Sequence, residues 1–285
     1  MPTFETPEPI EATIDVVVGD VRVTASDRHD TVVEVRPTDA FHEPDVDAAE
    51  QTRVEYTATG LLIRSPRQRS LGPRRIGSVD VTVELPAGSV LHAETAAGAI
   101  RTVGRLGECR IKLAAGDIDL DEAGPADLST SAGAITVGRA TGHAEISTSS
   151  GRIRVREVDG SAVIKSSNGE CFVGEITGDL QLKAANGTIV VGNAGADVTA
   201  TTANGDVRVG AITRGVSSLK TGYGQIEIGI RAGTAALLDA HTSFGHVRNS
   251  MQAADSPGPQ EETAEVRART SFGDIVIRRS GEEVS

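Results

Sequence analysis

Three consecutive copies of one phrase decide the fold: Ser167-Asn168-Gly169-Glu170-Cys171-Phe172-Val173-Gly174, then Ala185-Asn186-Gly187-Thr188-Ile189-Val190-Val191-Gly192, then Ala203-Asn204-Gly205-Asp206-Val207-Arg208-Val209-Gly210. In each copy the second and fourth residues after the first glycine are apolar, and the residues between them are free to be polar. This period of two is that of a β-strand with one buried face. Working outward, the same element recurs at Gly98, Gly116, Gly133, Gly151, Gly224, Gly245 and Gly273. Successive glycines lie 18, 17, 18, 18, 18, 18, 19, 21 and 28 residues apart. So regular a spacing identifies a repeat architecture.

The residues before each glycine repeat as well. Ile111, Leu128, Ile146, Ile164, Leu182 and Leu219 stand five before it, and Thr130, Thr148, Thr202, Thr221, Thr242 and Thr270 stand three before it. Each repeat therefore holds two short strands joined by a Ser/Asn-Gly turn. A unit of this size cannot bury its own apolar face, so it must stack on its neighbours and form ladders of equivalent residues about 4.8 Å apart. One such ladder runs through Ser150, Asn168, Asn186 and Asn204 and continues as Tyr223, Phe244 and Phe272. Stacked amides can bond along the axis, and the aromatic members should stack as a strip.

The expected fold is all-β, a repetitive β-solenoid with about 18 residues and two short strands per coil and about eight to ten coils. A related stacked-hairpin fold stays open, because ladder direction is not written in the pattern. A hexapeptide helix would place an aliphatic every sixth residue, and the Ca²⁺-binding nonapeptide class needs repeated Gly-Gly-x-Gly-x-Asp; neither fits. Residues 1–77 read as a β-rich segment or cap with degenerate repeats, centred on Gly19-Asp20-Val21-Arg22-Val23. Residues 78–280 read as the repeat region and 281–285 as a tail. Pro44–Gln51 and Thr234–Ala240 are the weak helical candidates. Ser250 to Thr263 reads as a loop thrown out of the stack. The closing run Ile275-Val276-Ile277-Arg278-Arg279 ends in charge and reads as a guard on the last strand edge.

Composition narrows the function classes. The formal charge is −12, and the chain has no Trp, two Tyr and five Phe. A nucleic-acid binder needs a basic face and stacking aromatics, so that class is disfavoured. No apolar run approaches the roughly 20 residues of a membrane-spanning helix. The start, Met1-Pro2-Thr3-Phe4-Glu5, shows neither a basic nor an apolar signal region, which gives a cytoplasmic expectation. Cys109 and Cys171 fall on inward positions and read as small buried hydrophobes.

At this point the residues resemble a known group. The repeated Ser/Ala-Gly-x-Ile-x-Val units, preceded by Val79-Asp80-Val81-Thr82-Val83-Glu84-Leu85-Pro86, look like the Toastrack family of bacterial β-strand-repeat domains, labelled candidate adhesins. The ending Glu265-Val266-Arg267-Ala268-Arg269-Thr270-Ser271-Phe272-Gly273-Asp274-Ile275 is similar to the family's actinobacterial branch. The resemblance spans essentially the whole chain. It implies the repeat fold and no defined catalytic residues.

Candidate chemistry is sparse. Asp117, Asp119 and Asp121, with Arg101 one coil away, are the residues a polysaccharide-active solenoid would use. The equivalent positions on later coils are Ala134 and Thr136, then Arg152 and Arg154, a mixed-charge face that keeps a sheet soluble. His241 and His246 flank one turn without an evident third metal ligand. No catalytic, cofactor or metal site is expected. The candidate partner-binding residues are Arg64, Arg67, Arg69, Arg74 and Arg75 of a basic loop, and the strip Tyr223, Phe244 and Phe272. The resulting expectation is a non-enzymatic cytoplasmic scaffold that binds an unknown protein partner. Self-assembly into filaments comes second and a polysaccharide-active enzyme third.

Overall fold

The computed structural model describes residues 2–66, 77–252 and 261–281. The chain divides into two compact units, Met1–Ala140 and Thr141–Ser285. Each is a pair of sheets built by coils that contribute one strand to each sheet.

In the first unit one sheet runs, neighbour to neighbour, through Thr3–Glu5, Asp30–Pro37, Val79–Pro86, Val21–Ser26, Ile100–Val103, Ile118–Ala123 and Ile135–Thr141. The other runs through Arg53–Thr57, Gly60–Arg64, Glu11–Val18, Val90–Ala97, Cys109–Ala115 and Ala126–Ala132. The repeat strands pair in parallel, with equivalent residues opposite: Ile118 faces Ile135, Leu120 faces Val137, and Ile111 lies between Ala93 and Leu128. Parallel in-register pairing follows from a repeat that returns to the same place after each coil. Only the outer strands are antiparallel: Thr3–Glu5 and Val79–Pro86 against Asp30–Pro37, and Arg53–Thr57 against Gly60–Arg64.

The degenerate element at Gly19 is a true coil. Val21 pairs with Ile100 on one side and Val81 on the other. The chain thus lays residues 11–26 inside and later brings the strands Gly60–Arg64 and Val79–Pro86 to their outer flank. The helix Glu43–Gln51 forms where Pro44 presets the first turn. Asp45 anchors it. Burial pushes its carboxyl up, but bonds from the Ser78 and Asp39 amides and the His42 ring outweigh this and hold it below the usual range.

In the second unit one sheet runs through Ile153–Asp159, Cys171–Ile176, Ile189–Ala194, Val207–Ile212, Ile226–Ile230, Ile275–Arg279 and Val247–Asn249. The other runs through Ala144–Ser150, Ala162–Asn168, Leu180–Asn186, Val198–Asn204, Gly215–Tyr223, Glu262–Phe272 and Thr234–Phe244. Two sequence expectations are corrected here. Thr234–Ala240 is not helical: it opens a strand of 11 residues that pairs with Glu262–Phe272, so the ladder overrides the helix propensity of Ala235-Ala236-Leu237-Leu238. Ile275–Arg279 is not an edge strand either, since it lies between Ile226–Ile230 and Val247–Asn249. The coil that comes last in the chain is inserted beneath the one before it.

The interior is a set of aliphatic columns. In the second unit Ile153, Cys171, Ile189, Val207, Ile226 and Ile275 are all fully buried. None of the seven aromatic residues is buried. At the corner that carries the repeat glycine, that residue takes a backbone conformation with positive φ and meets the neighbouring coil. A Cβ on Gly187 (φ +142°) would stand 2.0 Å from the Gly169 carbonyl oxygen. The corner is sealed by side chains: the Thr202 hydroxyl donates to Gly187 O at 3.3 Å, Thr221 to Gly205 O at 2.8 Å and Thr270 to Gly224 O at 3.1 Å. The amide ladder forms as expected, with Asn204 Nδ2 donating to Asn186 Oδ1 at 2.9 Å and Asn186 Nδ2 to Asn168 Oδ1 at 3.0 Å.

Gly187→Ala combines a strained φ with a backbone clash, and should cost roughly 3 kcal/mol or prevent folding. Gly233→Ala has the same sign of φ (+82°) but nothing within 4 Å of the new methyl, and should cost only about 1 kcal/mol. Thermal unfolding followed by circular dichroism checks the contrast, and equal losses would refute it.

Candidate functional site

Two of the three aspartates weighed for catalysis, Asp117 and Asp121, accept backbone amides of the adjacent coil. Asp117 Oδ1 accepts the Ala134 amide at 2.8 Å, Asp20 Oδ1 the Ala99 amide at 2.9 Å, Asp206 Oδ1 the Gln225 amide at 2.9 Å and Asp274 Oδ1 the His246 amide at 2.9 Å. In every case the donor is the residue after the corner glycine of the adjacent coil. A Gly-Asp corner therefore caps its neighbour, and the carboxylate satisfies an amide that the turn leaves without a strand partner. Asp121 Oδ2 accepts the Gly104 amide at 2.9 Å, and Asp119 sits 3.5 Å from Arg101, itself 3.5 Å from Asp20.

The outer faces carry charges paired from rung to rung. Arg110 reaches Glu108 and Asp127, both at 3.5 Å, and Lys165 donates to Glu145 at 2.9 Å. Arg208 meets Asp206 at 2.9 Å and Glu227 at 3.6 Å, and Arg154 lies 5.0 Å over the Phe172 ring. Exposed pairs of this kind contribute little stability each.

In the first unit a cleft of about 570 Å³ is lined by Asp15, Glu94 and Lys112 among Val16, Ala48 and Leu113. Asp15, Glu94 and Lys112 are successive rungs of one row, so they stand side by side and not across a gap. That arrangement does not place two carboxylates on opposite sides of a sugar ring. Among the described residues no group of three His, Cys, Asp or Glu could hold a metal ion; His241 and His246 are not brought to a third ligand. No described helix is long and apolar enough to cross a membrane.

Of the basic-loop candidates, Arg64 ends the strand Gly60–Arg64 and lies 3.4 Å from Asp15. Arg67, Arg69, Arg74 and Arg75 lie outside the described residues, as do residues 253–260 of the expected loop. The aromatic strip forms. Phe272 stacks between Tyr223 and Phe244, each at 4.8 Å between ring centroids and within 5° of parallel. Its spatial order is Tyr223, Phe272, Phe244, because Glu262–Phe272 is inserted between the other two strands.

The strip ends on the outermost coil, residues 234–249, the least buried part of the second unit. Leu237 is 69% exposed, Phe244 66% and Val247 45%. The cause is in the sequence: where the other coils of the second unit place Val or Ile four residues after the glycine, this one has Asn249. The far edge of Thr234–Phe244 has no strand partner among the described residues. The candidate site is this coil, with an aromatic strip, scattered aliphatics and an open strand edge together. Sequence reasoning found the strip and missed the edge, although Asn249 was a legible sign of an incomplete core.

A family model described as Toastrack DUF4097 matches residues 11–278, and the chain belongs to that family. Among solved structures it is similar to a candidate cell-adhesion protein from Clostridium sporogenes (11% identity, 98% of each chain, TM-score 0.22). It is also similar to a candidate adhesin from Parabacteroides distasonis (12% identity, 96% of this chain and 95% of that one, TM-score 0.30). A candidate adhesin from Bacteroides fragilis is similar at 12% identity, over 97% of this chain and 95% of that one, with a TM-score of 0.26. No curated protein matches the sequence.

Two outcomes follow from the site's chemistry. Removing the cap in Asp117→Ala should cost about 1 kcal/mol in thermal unfolding. Burial pushes the Cys109 thiol up to about 12 and the Cys171 thiol up to about 11, from an ordinary 9.0. A raised folded value makes their contribution to stability whole below pH 9 and lost as pH rises toward 11 to 12. At pH 8 a thiol reagent should modify neither cysteine in the native protein and both after denaturation; fast native labelling would refute this.

Proposed function

We propose that this Toastrack-family chain is a non-enzymatic, partner-binding β-repeat scaffold whose contact surface is the outermost coil of its second unit. The observation that carries the reading is the exposure of Leu237, Phe244 and Val247 beside the stacked rings of Tyr223 and Phe272. Aromatic side chains anchor interfaces because they bury large areas at little rotamer cost. On the outer faces the charged pairs Arg101–Asp119, Arg110–Asp127, Lys165–Glu145 and Arg208–Glu227 link neighbouring coils, and this mixed-charge lattice supports a non-enzymatic reading. The cytoplasmic address goes with this proposal. Its support is that Cys109 and Cys171 are both free, in keeping with a reducing compartment.

The test is an affinity capture with the tagged full chain, comparing wild type, Phe244→Ser and a variant with Arg64, Arg67, Arg69, Arg74 and Arg75 changed to Ser. A species retained by wild type and by the arginine variant but lost with Phe244→Ser supports the outermost coil. Retention by Phe244→Ser and loss by the arginine variant would move the surface to the basic loop. Fractionation that recovers the protein outside the cell would overturn the address.

A further inference from the structure

We infer that the open edge of Thr234–Phe244 pairs with the same edge of a second copy, antiparallel about a two-fold axis at Ala240; the inference rests on the outermost coil being the contact surface. The strand is long, at 11 residues, and its register against Glu262–Phe272 is unbroken from Thr234 to Thr242. The Glu262 amide donates to the Gly233 carbonyl at 3.2 Å. Parallel ladders alternate, so the amides and carbonyls of Ala236, Leu238, Ala240 and Thr242 face the unpaired side. A row of free donors and acceptors is a template for another strand.

Unguarded edges are not the habit of this protein. The outer strands of the first unit are Thr3–Glu5, only 3 residues long, and Arg53–Thr57, which alternates Arg53, Val54, Glu55 and Tyr56. Short or charged strands discourage pairing. Thr234–Phe244 carries only Asp239 and His241 as titratable residues, no Lys and no Pro.

Those two residues select the partner and the register. A two-fold pairing keeps both copies' core-facing side chains on one side only if it centres on a residue, not between two. Centring on Asp239 would set Asp239 against its own copy, and like charges directly opposite are destabilising. Centring on Leu238 would set Leu237 against Asp239. Centring on Ala240 sets Asp239 opposite His241 of the second copy, twice, and places the small Ala240 at the axis. His241 already shares a rung with Arg269, whose guanidinium grips Asp239 of the same copy at 2.9 and 2.5 Å. The incoming Asp239 therefore meets an imidazole hydrogen-bonding partner, with the Arg269 guanidinium on the next strand. In the same register Phe244 lies across Ala236 of the second copy. The contact consumes the edge on both copies, so it closes at two and does not propagate.

Sedimentation velocity of the full chain over a range of concentrations should show a monomer–dimer equilibrium with nothing larger. Ala240→Pro removes an edge amide at a position where an edge strand tolerates proline, and Phe244→Ser removes the flanking ring. Each should raise the dissociation constant at least about tenfold with the unfolding midpoint little changed. Register is read by oxidation, since directly opposed residues come within reach of a disulfide. A mixture of Asp239→Cys and His241→Cys chains should cross-link, and Asp239→Cys alone should not. A monomer at every concentration, species larger than a dimer, or efficient cross-linking of Asp239→Cys by itself would overturn the inference. If wild type is monomeric while the captured species still depends on Phe244, the second copy is the wrong partner and the contact surface stands. If that dependence is absent too, both fall.

Discussion

Backbone meets backbone where each repeat glycine turns the chain, and the rest of the structure depends on that approach. A Cβ on Gly116 would lie 1.7 Å from the carbonyl oxygen of Gly98. Only hydrogen fits there, and only glycine adopts the positive φ that turns the chain from one sheet to the other. Once the corner is fixed, the neighbouring residues have set tasks. The threonine three positions earlier turns its hydroxyl to the preceding coil's glycine carbonyl, and an aspartate after the glycine takes the next coil's amide. These bonds tie each corner to its neighbour and hold the register in which aliphatic columns face one another. A slip of one residue would turn every such column outward.

Stacking also explains why the charges are so evenly spread. A residue on an outer face lies about 4.8 Å from its equivalents on both adjacent coils, so any charge is within reach of two rungs. Arg101 between Asp20 and Asp119, and Arg110 beside Asp127, are what such a lattice produces when opposite signs alternate. A face of this kind is soluble and resists sheet-on-sheet association. It is a poor place for a catalytic pair, which needs unlike environments for two groups and exclusion of water. The proposed contact surface accordingly lies where the lattice stops.

Where it stops is set by the quality of the core residues. Glu262–Phe272 and Ile275–Arg279 bury Ala264, Val266, Ala268, Ile275 and Ile277. The preceding coil offers Ala236, Leu238, Ala240 and Val247, and then Asn249 where an aliphatic is wanted. Placing the better coil inside covers both of its flanks and leaves the poorer one outermost, so burial and not chain order ranks them. The same reversal occurs in the first unit, where the coil at Val21–Ser26 is covered on its outer flank by Val79–Pro86.

Much of this was written in the amino-acid sequence. Period two along each strand, period 18 along the chain, the corner glycines, the asparagine ladder and the aromatic strip all follow from local chemistry repeated at a fixed interval, and such repetition has one economical packing. The role of the Gly-Asp carboxylates was misleading in the sequence, because an acidic row looks the same whether it faces a substrate or a neighbour's amide. The helical look of Ala235-Ala236-Leu237-Leu238 was a true local propensity, overruled by the ladder along an 11-residue strand. What only the tertiary structure decided is the order of the coils at the flanks, and with it which strand edge is left open. Sequence records which residues want burial; which coil obtains it is a competition among coils, and that competition is settled only when they are packed together.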